Sequence, residues 1–341
     1  MKKIGKILCF LAVIYLLAAN PVFSQTPPTL NDLRKNVGAF SESLMGALPF
    51  NSTMGLNWSD AYIGQFLDMP PHFGIGFSMG ATFIQVGSMN KLMKMFGTEL
   101  PVGDLPAGLP LPGYTVEGRI GGFILPFDAG FKIGYIPSDI PLLETFGVGL
   151  DYLLVGGDVR YAIIKDGIIP LRLSIGMGLN HINGGISKSI PTGEQRFTFG
   201  NPKGGDLTLI VPNPDLGLRW KTTNLEFKAQ ASFPLILITP YVGIGVGHAW
   251  SEAGYEVKSK IKVNNGYEDI PIDVEIIDIM KSLGVTGVNK NGFESMIKDN
   301  GFNARLYGGL SFNMAVIKLD FTAMYNFEDS FGFTIGTRFQ L

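Results

Sequence analysis

The sequence predicts an all-β fold: a transmembrane antiparallel up-and-down β-barrel of 10–12 strands with an N-terminal helical plug or periplasmic segment. Three observations predict it. Only 16% of the 341 residues are charged while 46% are apolar and 45 are Gly, whereas a soluble domain carries about a quarter charged residues and roughly 7% Gly. Apolar and small or polar residues alternate with period two over runs of nine to thirteen residues, the length of a tilted membrane-spanning strand. The connections between these runs alternate short and long, as periplasmic turns and outer loops do in such barrels.

The composition also excludes other classes. Lys+Arg number 27 against 29 Asp+Glu, so no basic excess exists to neutralise phosphates and a nucleic-acid partner is not expected. The abundance of Phe, Ile, Leu and Val excludes disorder. Residues 1–24 read as a signal peptide: Lys2, Lys3 and Lys6 precede an apolar run of 13 residues, Ile7 to Ala19, and Val22-Phe23-Ser24 offers a cleavage site near Ser24. Thirteen residues are too few to span a bilayer as a helix. The single cysteine, Cys9, leaves with the signal, so disulfides, thiol catalysis and Cys-based metal sites are not expected. The expected location is the cell outer membrane.

Residues 25–70 form the N-terminal helical or plug segment. Within it 30–47 reads as a helix, with Asn31 as N-cap and Leu33, Val37, Phe40, Leu44 and Ala47 on one face. It either plugs the lumen or lies at the periplasmic mouth. The barrel occupies 71–341. Its candidate strands are 72–85, 114–125, 127–136, 147–164, 168–187, a stretch within 207–233, 240–260, 302–313, 316–327 and 331–341, with 53–64 as a weaker addition. The run 229–251 lacks charge, yet Pro234, Pro240 and the glycines at 243, 245 and 247 break any helix and make it two strands and a turn. A phase change near Leu154/Val155 suggests a bulge. Long outer loops are expected at 86–113, 181–213 and 264–301, the third carrying helices over 273–284 and 291–299 as a cap on the mouth.

With the apolar phase facing lipid, the polar phase sends Glu117, Asp128, Asp158, Glu226 and Asp320 into the lumen. It also sends Arg119, Lys132, Arg160, Arg172, Lys228, Arg305, Lys318 and Arg338 there. Asp151, Asp215 and Arg219 join them, making seven acids against nine bases. Such a mixture fits pairing across a narrow lumen, because an unpaired buried charge is costly, or the lining of a polar permeation path. In the first loop Met89, Leu92, Met93, Met95 and Phe96 lie on a short amphipathic helix between Ser88 and Gly97. They form either a helix packed on the rim or an adaptable apolar ligand platform. Catalysis finds no footing. His72, His181 and His248 show no metal-binding spacing, and Gly243-Ile244-Gly245-Val246-Gly247 lacks the helix a phosphate loop requires. Neither an enzyme nor a cofactor or metal is expected.

Four stretches carry a resemblance. They are the leading helix followed by Met54-Gly55-Leu56-Asn57-Trp58, then Gly156-Gly157-Asp158-Val159-Arg160-Tyr161, Thr239-Pro240-Tyr241-Val242-Gly243-Ile244-Gly245, and the terminal strand trio. Together they make the chain resemble an uncharacterised family of Gram-negative outer-membrane β-barrels, defined as a domain of unknown function. More distantly, a plug-like segment before an exported barrel is similar to long-chain fatty-acid transporters, which have more strands. The terminal Gly336-Thr337-Arg338-Phe339-Gln340-Leu341 resembles the signal read by the barrel assembly machinery, departing from it at Ile335 and Leu341. The resemblance implies outer-membrane lipid and that machinery as partners. Two functions follow as expectations: passive uptake or binding of a small apolar or amphipathic solute, or a non-transporting structural or surface-interaction barrel acting through its outer loops.

Overall fold

Strands that alternate apolar and polar residues can satisfy their backbone in hydrocarbon only by pairing until no edge is left. The computed structural model describes residues 30–68, 71–84, 109–136, 148–165, 170–189, 194–200, 205–212, 215–258, 262–264, 267, 269–270, 277–278, 288–289, 292–327 and 330–341. A helix, α1 (Leu30–Ser52), leads. The strands are β1 (Phe73–Ile84), β2 (Leu109–Gly121), β3 (Phe127–Ile136), β4 (Val148–Ile164), β5 (Arg172–Ser189), β6 (Glu194–Gly200) and β7 (Asp206–Pro212). They continue as β8 (Asp215–Ser232), β9 (Ile238–Lys258), β10 (Lys262–Asn264), β11 (Asp269–Ile270), β12 (Val288–Asn289), β13 (Gly292–Met314), β14 (Ile317–Asn326) and β15 (Ser330–Gln340).

Ten of these close a barrel in the order β1-β2-β3-β4-β5-β8-β9-β13-β14-β15, every neighbouring pair antiparallel, with β15 returning to β1. The meander is the up-and-down topology that the sequence predicts. Followed through its partners, Glu117 leads one way to Asn313 of β13 and the other way to Gly301, a shear of twelve residues. Twelve on ten strands tilts them by about 40°. The outer face presents Ile75, Phe77, Phe131, Ile133, Val159, Ile175, Met177, Phe227, Ile244, Phe321, Phe333 and Ile335, all exposed. That apolar belt marks an outer-membrane-type barrel.

The wall has two heights. β3, β14 and β15 run 10, 10 and 11 residues, enough to cross the hydrocarbon. By contrast β4, β5, β8, β9 and β13 run 17, 18, 18, 21 and 23. β13 pairs with β14 only from Arg305 onward, so its first thirteen residues stand above the short wall on β9, with β12 pairing only at Gly292 and Phe293. The second sheet, β11-β10-β7-β6, buries Leu207, Leu209, Ile210 and Val263.

Several expectations need correction. The weaker strand at 53–64 is a non-strand segment threaded through the lumen, where Thr53 to Ile63 are all buried. Of the expected loops, 109–113 belongs to β2 and 181–189 to β5, while 194–200 and 206–212 form β6 and β7. Likewise 292–301 is strand, not the helix expected over 291–299, because β9 supplies a partner along its whole length and pairing outweighs a weak helical pattern. The only described residues of the expected helix 273–284 are 277–278. The signal peptide and the Met89–Phe96 platform lie outside the described residues.

No bulge interrupts Leu154/Val155; the register of β4 shifts between Ala162 and Ile164. The phase change has another cause. From the top of the short wall upward the inner face is covered, so Tyr152, Leu154, Ile182, Trp220, Ala253 and Tyr255 are buried there. α1 covers it, packing chiefly on β9 and β8 and burying Leu44, Met45, Ala47 and Leu48. Polarity inverts up the strand although register does not.

The inner glycines of β9 make room for neighbouring side chains. A Cβ on Gly243 would sit 2.3 Å from Tyr307 Cζ, and one on Gly245 would sit 2.2 Å from Glu226 Oε1. Gly301, on the free stretch of β13, would meet nothing within 4 Å. Gly243→Ala should therefore destabilise the barrel by about 1–3 kcal/mol, and Gly301→Ala by no more than about 0.5 kcal/mol. Unfolding of the detergent-solubilised variants, followed by heat-modifiable gel migration, checks the contrast.

Candidate functional site

The strand phase carries thirteen ionisable side chains into the lumen, and all thirteen are placed there: Glu117, Arg119, Asp128, Lys132, Asp158, Arg160, Arg172, Glu226, Lys228, Arg305, Lys318, Asp320 and Arg338. Asp128 receives Arg119 Nη1 at 2.5 Å and is clamped by Arg160 through Nε at 2.8 Å and Nη2 at 2.9 Å. Asp158 takes Arg119 Nη2 at 2.7 and 2.9 Å and Lys228 Nζ. Glu226 and Arg305 form a two-pronged pair at 2.6 and 3.0 Å. Arg338 reaches Asp320.

The wall does not balance itself. Those thirteen comprise five acids and eight bases, and burying a charge without partners costs several kcal/mol. The missing acceptors come from the chain between α1 and β1. Asp60 receives Lys318 Nζ at 2.6 Å, Arg338 Nη2 at 2.9 Å and Arg172 Nη1 at 3.3 Å. Backbone carbonyls do the rest. Lys132 donates to Ser52 O at 2.8 Å and Met54 O at 2.6 Å, Arg160 to Asp60 O at 2.7 Å, and Arg172 to Tyr62 O at 3.0 Å. Lys132 thereby serves as the cation at the negative end of α1, whose own last turn holds no basic residue.

Traffic also runs the other way. Glu117 Oε2 accepts from Leu56 N at 2.9 Å and Trp58 Nε1 at 2.6 Å. Gly55 (φ 80°) and Leu56 (φ 58°) turn the chain toward it through the left-handed region, which an L-residue occupies at a cost of about 1–3 kcal/mol unless its surroundings hold it. Gly55 also has no space for a side chain: a Cβ would lie 2.5 Å from Thr115 Oγ1. Trp58 sits between two guanidinium groups, Arg338 at 4.9 Å and Arg119 at 5.6 Å from its ring, within cation–π range. Arg305 donates to Asn57 Oδ1, and Gln230 to the carbonyls of Trp58 and Ser59.

One space between this segment and the wall is a cavity of about 10 Å³ lined by Thr53, Lys132, Asp158, Asn180, Glu226 and Arg305, at the lower limit for a single water. Among the described residues no group of three or more His, Asp and Glu is placed to hold a metal.

Three charged residues read as lumenal are not. Arg219 and Asp151 bond at 2.6 Å, and Arg219 reaches Glu256 at 2.7 Å, all three partly exposed. They occupy the outer phase above the short wall, opposite buried Trp220 and Tyr152, and Asp215 shares the phase of Arg219 on β8. Sequence reasoning also missed Asp60, the carboxylate with most contacts to the wall. The signal was available as a net excess of lumenal bases, but it was masked by counting Asp151 and Asp215 as acids of the lumen.

Glu117→Ala should remove the acceptor for Leu56 and Trp58 while leaving Lys132 and Arg119 short of negative charge. Loss of one partner from a buried charge network costs about 3–5 kcal/mol. The expected result is faster cleavage within 53–63 by limited proteolysis while the barrel keeps its heat-modifiable migration. Asp60→Asn should act in the same direction.

A family model described as Lsa36-like matches residues 107–341. No curated protein matches the chain. Among solved structures, the outer membrane protease OmpT from Escherichia coli is 10% identical with a TM-score of 0.36, over 83% of this chain and 100% of that one. The translocator domain of the autotransporter NalP from Neisseria meningitidis is 10% identical with a TM-score of 0.30, over 91% and 99%. Ail, the attachment invasion locus protein of Yersinia pestis, is 8% identical with a TM-score of 0.27, over 79% and 97%. Likenesses this distant carry no argument about activity, and the barrel rests on the strand pairing of the chain itself. The expected similarity to long-chain fatty-acid transporters is not shown. The family match runs from just before β2 to the last residue of the chain, and on that match the chain belongs to the Lsa36-like family.

Proposed function

We propose that this protein is a barrel of the cell outer membrane that is closed to solutes and acts through the part standing above the bilayer. One observation carries the reading. The lumen is filled by residues 50–63, and their polar atoms complete a charge network that the wall cannot complete alone. A permeating solute would have to displace Asp60 from three basic side chains and Trp58 from two. The cavity of about 10 Å³ beside Lys132, Asp158 and Arg305 is far too small for such a solute.

The outer half supports the same reading. Strands β8, β9 and β13 rise well past the hydrocarbon and end beside the second sheet, and their outer phase carries Arg219, Glu256, Glu252 and Lys298 in ion pairs suited to water. The apolar belt supports lipid as the solvent of the exterior. The alternating Phe331, Phe333, Ile335 and Phe339 of β15 support recognition of the last strand by the barrel assembly machinery. The lumenal carboxylates support structure over catalysis, since Asp128, Asp158, Glu226 and Asp320 are each held by an arginine or lysine.

Planar-bilayer recording tests this. The purified protein should show no stable conductance, whereas Arg172→Ala/Arg338→Ala, which strips two of the three bases from Asp60, should open channel events while still inserting. Steady conductance by the unaltered protein, or an apolar solute retained through purification and identified by mass spectrometry, would favour uptake instead.

A further inference from the structure

The segment that fills the lumen has a direction. At the end of the barrel bearing the short turns, Phe66 N donates to Gly122 O in the β2–β3 turn, and Ile63 N to Asp128 near the start of β3. Midway, Trp58 and Leu56 meet Glu117. At the other end, Asn51 Nδ2 donates to Thr82 Oγ1 and Leu111 O, each two residues from the long β1–β2 connection. Read from Phe66 back to Asn51, the chain climbs the full height of the short wall.

α1 continues that climb. Its 23 residues span about 34 Å at 1.5 Å each, and its one proline, Pro49, lies in the last turn, so no proline interrupts it earlier. The space below Asn51 is taken by residues 52–63, and α1 packs chiefly on β9 and β8, two of the strands that outgrow the short wall, and also on β1 and β13. The thirteen residues of β13 above Arg305 rise by about 30 Å when tilted. Helix and tall wall therefore end at similar heights, and the helix cannot reverse within the lumen.

We infer that the barrel carries its own N-terminal chain through the membrane, so that the Leu30 end of α1 stands on the outer side. The short turns face the periplasm in such barrels, which places the Leu30 end of α1 at the cell surface. The inference rests on the outer-membrane placement proposed above and does not depend on whether the lumen conducts.

Single cysteines in a Cys9→Ser background test it, since the chain has no other cysteine. A membrane-impermeant maleimide is applied to intact and to permeabilised cells. Lys298→Cys, exposed on the tall part of β13, reports the outer side. Ile236→Cys, 95% exposed in the β8–β9 turn, reports the periplasm. Thr26→Cys should label in intact cells to the extent of Lys298→Cys, and Thr29→Cys should repeat the result if the first variant folds poorly. Labelling of both N-terminal variants only after permeabilisation, in step with Ile236→Cys, overturns the inference. Labelling of Ile236→Cys but not Lys298→Cys in intact cells would instead show that the orientation itself is wrong.

Discussion

Eight bases, six of them buried and Arg172 and Lys318 partly so, face five buried acids on the inner surface of the barrel, and electrostatics does not allow that surplus to stand alone. Each ammonium or guanidinium loses its hydration on entering the lumen and must recover it from fixed acceptors. The chain from Ser52 to Tyr62 supplies them as one carboxylate and a run of backbone carbonyls. In return the wall supplies Glu117 to the exposed donors of Leu56 and Trp58. Wall and plug are therefore two halves of one buried network. Neither half is satisfied before the other arrives, which ties closure of the barrel to capture of the segment inside it.

The same constraint accounts for features that look unrelated. Gly55 and Leu56 adopt positive φ because the backbone must turn its N–H toward Glu117 where no side chain fits. Alternate glycines on β9 clear space for Tyr307 and Glu226, so that large side chains from adjacent strands can reach the centre. Tyr307 in turn lies 4.4 Å from the Arg305 guanidinium, adding an aromatic face to a cation that already holds Glu226 and Asn57. An interior with a shear of twelve on ten strands is wide enough for one peptide segment and little else.

Above the bilayer the rule changes. The tall half of the wall no longer separates lipid from a polar lumen; it separates water from α1. Hence Trp220, Ala253 and Tyr255 turn inward as apolar residues, continuing a change that begins at Leu154 and Tyr152 beside the end of β3, and Asp151, Arg219 and Glu256 turn outward as charged ones. The strands keep their register through this change, so the inversion reflects a different environment on each side and not a structural irregularity.

Much of this was legible in the sequence, because two-residue periodicity depends only on which face of a strand meets lipid. A register slip would expose Arg160 or Arg338 to hydrocarbon at about 2–4 kcal/mol each, so the inward placement of the thirteen lumenal charges was determined by local alternation. The helical reading of 30–47 was legible for the same local reason. What only the tertiary structure decided were long-range partnerships: that 53–63 lies inside the barrel with Asp60 held by three bases of the wall, that 292–301 pairs with β9 instead of coiling, and that Asp151 and Arg219 face water. No window of sequence holds both members of these contacts. Asp60 and Lys318 are separated by 258 positions, and only closure of the sheet brings the charge that needs a partner to the residue that supplies it.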